Sequence, residues 1–326
     1  MTNQLTVVTV TLNPAIDQTV HLAGFHVGEV NRVKSSRIDA GGKGVNVSSV
    51  LADLGVEVLA TGFLGYENLG IFEKHFRQKA ISDHFVRIPG ATRIGIKIVN
   101  AEGNQTTDIN FPGLAPDEDE VERLVVAVLD CVEEGRWIVL SGSLPPDIST
   151  DIYARLITEI RGKGGRIVLD TSGEPLRLAI AQSPEIVKPN LVELEELIGH
   201  ELKTPQEVAT AAASLVGNGV ELAVVSMGEQ GAVFVTSEAA LLAKPPKVEV
   251  KSTVGAGDAM VAGIIYAQLN GYGLEATARV ATALGAYSVT RVGAGLDTGK
   301  LHEFEKQVRV ENVGAEANLA VAGIGD

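Results

Sequence analysis

Aromatic residues make up only 4% of this 326-residue chain, cysteine occurs once, and positive charge is outnumbered. The single Cys131 excludes an internal disulfide and fits a reducing compartment; its setting, Val128-Leu129-Asp130-Cys131-Val132, reads as a helix face on which the thiol packs. Lys and Arg number 27 against 41 Asp and Glu, a net charge of −14, so neither nucleic acid nor an anionic membrane is an expected partner. No apolar run reaches the ~18 residues of a membrane span. No basic start followed by an apolar segment marks a secretion signal, so a cytoplasmic location is expected and the triplets Asn46-Val47-Ser48 and Asn104-Gln105-Thr106 carry no glycosylation meaning. The six histidines lack metal-ligand spacing, no internal repeat occurs, and the absence of a Gly-x-x-x-x-Gly-Lys-Ser/Thr loop excludes a P-loop enzyme.

What the chain does have is aliphatic bulk and glycine. Hydrophobic residues make up 45% and glycines number 36, a texture of aliphatic strands joined by tight loops that suits a parallel sheet covered by helices. The length allows one large α/β domain or two smaller ones. Residues 5–12 read as a strand that Asn13-Pro14 breaks, and Asp17 follows just beyond its carboxyl end, where open α/β sheets place ligands. Residues 19–38 show short alternating pieces, and 93–99 with 106–111 read as a hairpin around 100–105. Together these predict a small separate β-sheet, acting as a lid over the ligand or as a dimer contact. Residues 56–63 form a second core strand. After residue 115 strand and helix alternate, and four strands ending near Leu140, Asp170, Lys188 and Ser226 deliver polar or glycine-rich loops to one edge. Residues 274–289 read as a final buried helix, and the Ala- and Gly-rich tail as loosely ordered.

Two glycine loops open helices. Ser252-Thr253-Val254-Gly255-Ala256-Gly257-Asp258 follows the strand-like residues 248–251 and precedes an almost unbroken apolar run. Free N–H groups in a helix's first turn make an anion site, and glycines let a ligand approach them closely. A carboxylate there cannot bind the anion, but it can take a proton from a hydroxyl about to attack it. The combination predicts phosphoryl transfer with Asp258 as base, against the plainer reading of a tight turn and a helix cap. The second loop, Ala40-Gly41-Gly42-Lys43-Gly44-Val45-Asn46, places a lysine among three glycines at a helix start, and Asn46 one turn in can meet the same ligand.

Asp170-Thr171-Ser172 and Asp297-Thr298-Gly299 suggest an aspartic protease only superficially, since that enzyme needs two β-rich lobes. The two glycine loops, in this order, resemble the two signatures of the ribokinase-like carbohydrate kinases, over residues 5–305. Within that family the chain is most similar to the phosphofructokinase and tagatose-phosphate kinase branch. Residues 11–17 (Thr-Leu-Asn-Pro-Ala-Ile-Asp), 141–145 (Ser-Gly-Ser-Leu-Pro) and 188–190 (Lys-Pro-Asn) carry this likeness, while Gly28-Glu29-Val30-Asn31-Arg32 resembles 1-phosphofructokinases in particular.

The resemblance implies a doubly wound, mainly parallel sheet flanked by helices over residues 1–310, a β lid from about 17–39 and 92–112, and a tail at 311–326. It implies ATP and Mg²⁺ as cofactors and admits a monovalent cation; a homodimer through the lid is expected separately, because an exposed alternating sheet seeks a cover. Asp258 would be the base, and the amides of Gly255, Ala256 and Gly257 would hold the γ-phosphate. Asp17, Gly42 and Asn46 would bind sugar hydroxyls; Lys43, Arg32 and Arg93 would meet the phosphate already on the sugar, with Ser141 in the same pocket. Asn190 and Glu193 would organise Mg²⁺ through water, and Lys188, Ser226 and Gly228 would lie along ATP. Elementary chemistry agrees: a sugar phosphate needs a cationic clamp, which Arg supplies bidentately, although Arg32 and Arg93 also suit a charged lid edge. Lys43 discriminates less, because ribose kinases have a similar loop without needing a phosphate clamp. Asn190 with Glu193 also spells a capping box, a role compatible with water-bound Mg²⁺. The implied reaction moves the γ-phosphate of ATP to the 6-hydroxyl of fructose 1-phosphate. Tagatose 6-phosphate and fructose 6-phosphate, each phosphorylated at the 1-hydroxyl, are the close alternatives, and a non-catalytic sugar-phosphate sensor the distant one.

Overall fold

The computed structural model describes residues 6–100, 105–291 and 296–314. Runs rich in β-branched residues supply β1 (Thr6–Thr11) and β2 (Ala15–Leu22); β3 (Ser35–Gly41) then precedes helix α1 (Lys43–Asp53), and β4 (Glu57–Gly65) follows it. Helix α2 (Gly70–Lys79), the short strands β5 (Ser82–Asp83) and β6 (Val86–Ile88), and the pair β7 (Ile94–Asn100) and β8 (Gln105–Asn110) come next. Strand and helix then alternate through α3 (Glu118–Asp130), β9 (Trp137–Ser141), α4 (Ile152–Gly162), β10 (Arg166–Asp170), α5 (Gly173–Ile180), β11 (Ile186–Val187), α6 (Leu191–Ile198), α7 (Pro205–Gly217) and β12 (Leu222–Ser226). Strands β13 (Ala232–Val235) and β14 (Ala240–Lys244) lead to α8 (Ala256–Leu269), α9 (Leu274–Val289), α10 (Thr298–Gln307) and β15 (Arg309–Asn312).

The large sheet runs β15-β14-β13-β12-β11-β10-β9-β1-β4-β5, with β6 beside β4. Neighbours from β12 to β5 are parallel, and β12 through β15 are antiparallel. The period of two along the strands feeds two cores. Val8, Val10, Ile138, Leu140, Ile167 and Leu169 join side chains of α3 to α7, whereas Val7, Val139, Val168 and Val224 join those of α1, α8 and α9. Both faces are apolar, which is why these strands read as near-continuous hydrophobic runs. The chain leaves β1 for β4 on one side and returns to β9 on the other, so a crevice opens at the carboxyl ends of these strands.

The alternating excursion and hairpin form a second sheet of order β3-β2-β7-β8, separate as expected. The turn between β7 and β8, at 101–104, lies outside the described residues. Three local expectations change. Residues 248–251 are irregular and largely exposed rather than strand-like, α9 is followed by α10, and the first two residues of the expected loose tail, Glu311 and Asn312, pair with β14. The tail from 315 lies outside the described residues. Cys131 is buried directly after α3.

Helix α8 has no polar face. Ala259, Val261, Ala262, Ile264 and Ile265 are all buried, because α1, α9 and the sheet's side chains surround it. Its approach to α9 needs a glycine: a Cβ on Gly263 would stand 2.7 Å from the Cα of Ala281 and 2.9 Å from Leu284 Cδ1. Backbone cannot yield as a flexible side chain does, so overpacking at roughly 1–3 kcal/mol outweighs the ~1 kcal/mol that alanine gains in helix propensity. Gly263→Ala is expected to unfold at lower urea concentration with an unchanged slope.

Candidate active site

Helices α3, α6 and α7 begin with capping boxes, in which a side chain satisfies the first turn's N–H groups. Helices α1 and α8 begin differently. Their N-caps are Gly42, at φ +112°, and Gly255, at φ +79°, and neither start has a side-chain cap. These φ values favour glycine, and the turns they make leave N–H groups and the positive dipole end open to a ligand. The Ala256 N–H donates to Thr253 O at 3.4 Å; those of Gly255 and Gly257 have no backbone partner among the described residues.

Both starts line one cavity of about 410 Å³, together with Asp17, Arg93, Asp170, Lys188, Asn190, Glu193 and Ser226. Asp258 lies in the first turn of α8, only 6% exposed, and its Oδ2 accepts from Asn46 Nδ2 at 2.7 Å. That bond ties the two helix starts together. Burial, reinforced by the nearby Asp170 charge, pushes the Asp258 carboxyl up to about 6, while Asn46, Lys43 and Lys188 restrain the rise. Asp258 is thus a carboxylate with the proton affinity of a base near neutral pH.

Asp170 was legible in the sequence only as an acid ending a strand. It is 1% exposed, and its Oδ1 lies 3.0 Å from Lys43 Nζ and 3.4 Å from Lys188 Nζ. Burial alone would raise its carboxyl; the two ammonium groups outweigh that and hold it below the usual range. Burial likewise works against the Lys43 charge, but Asp170, Asp258 and Glu193 reverse the balance and raise its proton affinity.

Asp17, which also lines the cavity, packs against glycine backbone. A Cβ on Gly41 would collide with its carboxylate, and one on Gly95 would stand 2.9 Å from its Oδ1. Burial raises the Asp17 carboxyl, with Lys97 and Arg93 opposing. Arg93 donates from Nη2 to Asn13 O at 3.2 Å, while its buried Nε has no partner among the described residues. Asn13 in turn donates to Ser143 Oγ at 3.3 Å. Asn13 and Ser143 lay inside the motifs singled out by sequence but were passed over.

Asn190 and Glu193 form the capping box of α6, with bonds of 2.9 Å and 2.7 Å, and still line the cavity. Among the described residues no group of three or more His, Cys, Asp or Glu could cage a metal. Hard oxygen donors without a cage fit Mg²⁺, which keeps several waters and arrives with phosphates. Ser226 ends β12 beside Asn190, and Gly228 opens the short turn after it at φ +59°. Four expected residues do not line the cavity. Arg32 is exposed on the β2–β3 connection, Ser141 is fully buried at the end of β9 with an unpartnered Oγ, Gly228 lies just beyond Ser226, and Ala256 sits between the lining residues Gly255 and Gly257.

Residues 10–300 match the sequence profile of the pfkB family carbohydrate kinases. A 1-phosphofructokinase from Rhodobacter capsulatus is 47% identical over 90% of this chain and 93% of its own length. A 1-phosphofructokinase from Xanthomonas campestris is 45% identical over 89% of this chain and 92% of its own. The crystal structure of phosphofructokinase-2 from Escherichia coli in complex with potassium superposes with a TM-score of 0.88 at 30% identity, covering 93% of this chain and 99% of that one.

Because burial raises Asp258 from an ordinary 3.8 to about 6, its carboxyl favours folding below about pH 4, and that contribution is lost as the pH rises through 6. Asp258→Asn removes the buried charge and keeps an acceptor for Asn46. The variant is expected to exceed the parent in stability at pH 8 by on the order of 1–3 kcal/mol, with the gap closing toward pH 4. Denaturant unfolding at the two pH values checks this; a constant gap would refute it.

Proposed function

The chain belongs to the pfkB family of carbohydrate kinases, and from that premise we propose that it transfers the γ-phosphate of ATP to the 6-hydroxyl of fructose 1-phosphate, giving fructose 1,6-bisphosphate. The observation that carries the reading is Asp258, a buried base at a helix start whose open amides suit a phosphate. Asp258 accepts the proton of the attacking hydroxyl, and Asn46 fixes the carboxylate so that one oxygen stays free for it. The first turn of α8 receives the moving phosphoryl group as its charge builds. Lys188, whose Nζ would stand 3.4 Å from a Cβ on Gly257, supplies positive charge beneath that turn.

Asp17 and Gly42 orient the sugar, and Arg93 holds the phosphate already on it. Asn190 and Glu193 hold Mg²⁺ through water, which when bound neutralises phosphate charge. Ser226 and Gly228 follow the nucleotide, and a monovalent cation, the potassium of the similar Escherichia coli structure, belongs to the same reading. The intact base and the names of both curated relatives favour an enzyme over a sensor and fructose 1-phosphate over the 6-phosphates.

We extend the proposal to a homodimer in the cytoplasm. Among the described residues no helix is long and apolar enough to cross a membrane. Alternation in the small sheet turns the row Arg37, Thr19, Lys97 and Asp108 one way, and the row Ile38, Gln18, Ile96 and Ile109 the other. Ile38 is 52%, Ile109 44% and neighbouring Phe111 49% exposed, an apolar face that a second copy would cover.

In a coupled ADP-release assay, kcat/KM for fructose 1-phosphate should exceed that for either 6-phosphate by ~100-fold or more. A preference for a 6-phosphate would turn the sugar end for end and overturn the substrate reading. Asp258→Asn should lower kcat by roughly 10²–10⁴-fold with ATP affinity nearly intact. Sedimentation of an Ile109→Asp, Phe111→Asp double variant is expected to give monomers where the parent gives dimers; a monomeric parent would remove the dimer.

A further inference from the structure

Asp170 has no part in the transfer described above, yet it is among the most buried charges in the cavity. An isolated buried carboxylate is costly, so its two ammonium partners are required rather than incidental. The contacts around it close a ring. Asp258 accepts from Asn46; one turn earlier on α1, Lys43 donates to Asp170 at 3.0 Å. Asp170 lies 3.4 Å from Lys188, and Lys188 sits under Gly257, the residue before Asp258. Four segments of chain meet in this ring, and Asp170 is its one anion besides the base.

We propose that Asp170 is a positioning residue: it holds Lys43 and Lys188 as a fixed pair of cations beside the glycine loop and sets the charge that Asp258 faces. The inference rests on the kinase reading of the same site. Asp170 touches no reacting atom in this scheme and takes no proton; its backbone is itself fixed, since Gly142 N donates to Asp170 O at 2.9 Å. The charged groups facing Asp258 are Lys43 from α1, Asp170 from β10 and Lys188 from the turn after β11. Asp17, Arg93 and Glu193 line the same cavity more distantly. From α9, which packs along α8, Tyr287, and from just beyond its end Arg291, line the adjoining chamber beside Gly255. With Asp170 neutral, two unopposed ammonium groups would favour the Asp258 carboxylate and make it a weaker base. With Lys43 neutral, the opposite follows.

The test compares the titration of Asp258 in three proteins: the parent, Asp170→Asn and Lys43→Met. Carboxyl ¹³C NMR of aspartate-labelled protein reads it directly, with the Asp258→Asn variant identifying the resonance. The midpoint should fall by roughly one pH unit in Asp170→Asn and rise by a comparable amount in Lys43→Met. The acid limb of kcat/KM for the sugar phosphate should move in the same two directions. A merely structural role would leave the midpoint in place or loosen both variants alike, so an unmoved midpoint, or shifts of the same sign, overturns the proposal. Should Asp170→Asn fail to fold, Lys43→Met decides alone, and an unmoved midpoint there is equally fatal. If the NMR shifts have the expected signs but the parent phosphorylates none of the sugar phosphates, the ring stands and the kinase reading falls.

Discussion

A carboxylate buried at a helix start without a side-chain cap has to be accommodated, and the arrangement of the site follows from that demand. Asp258 is 6% exposed at the start of α8. Desolvation disfavours its charge, and the approach of an anion disfavours it further. The chain carries a net charge of −14, so it has no general excess of positive charge to call on. What it has are two helix starts with glycine caps, whose partial charges need no extra lysine, and a few cations set where they act. Lys43 and Lys188 pair with Asp170, and Arg93 lies near Asp17. The single bond from Asn46 to Asp258 brings the two helix starts into one site.

That bond can be short and fixed only because the helices behind it are. Helix α8 is buried all round, and Gly263 lets α9 approach it backbone to backbone. Close packing of this kind tolerates little displacement, so the first turn of α8 is held by the core behind it rather than by a cap of its own. The orphan N–H groups that would count against an ordinary helix here belong to residues that line the cavity. Helices α3, α6, α7 and α10 use side-chain caps. Helix α6 does both: the Asn190–Glu193 box closes its own first turn and still faces the cavity.

Much of this was legible in the sequence, because it is local. Glycines before a helical pattern, an acid one turn in, and polar residues at the ends of apolar strands are all signals within a few residues of one another, and they identified α1, α8 and the carboxyl edge of the sheet. Asp170 was not legible as a member of the site. Its lysine partner on α1 is 127 positions away, and the dipeptide that follows it suggested only a protease motif that the fold excluded. Ser141 and Ser143 show the same limit at closer range. The strand ends at Ser141, whose side chain turns inward, and two residues later Ser143 is exposed and bonded to Asn13. Sequence marks that turn, but register decides which serine faces out. The cap of α10 and the last strand were missed because amphipathic signals there are weak and tertiary pairing with β14 supplies the order.

The small sheet adds a constraint of its own. Its side chains alternate, so any residue added to or removed from β2 would exchange the faces, carrying Asp17 away from the cavity and Ile16 toward it. On the cavity side Gly95, directly opposite Asp17 on β7, and Gly41, two residues beyond its β3 partner Asp39, leave room for the carboxylate where a Cβ would crowd it. The register is pinned on the other side by the row of isoleucines, which gains nothing from water. One pattern therefore fixes two properties at once. The strand that carries Asp17 into the cavity also presents the apolar face, and a substitution that shifts its register acts on both.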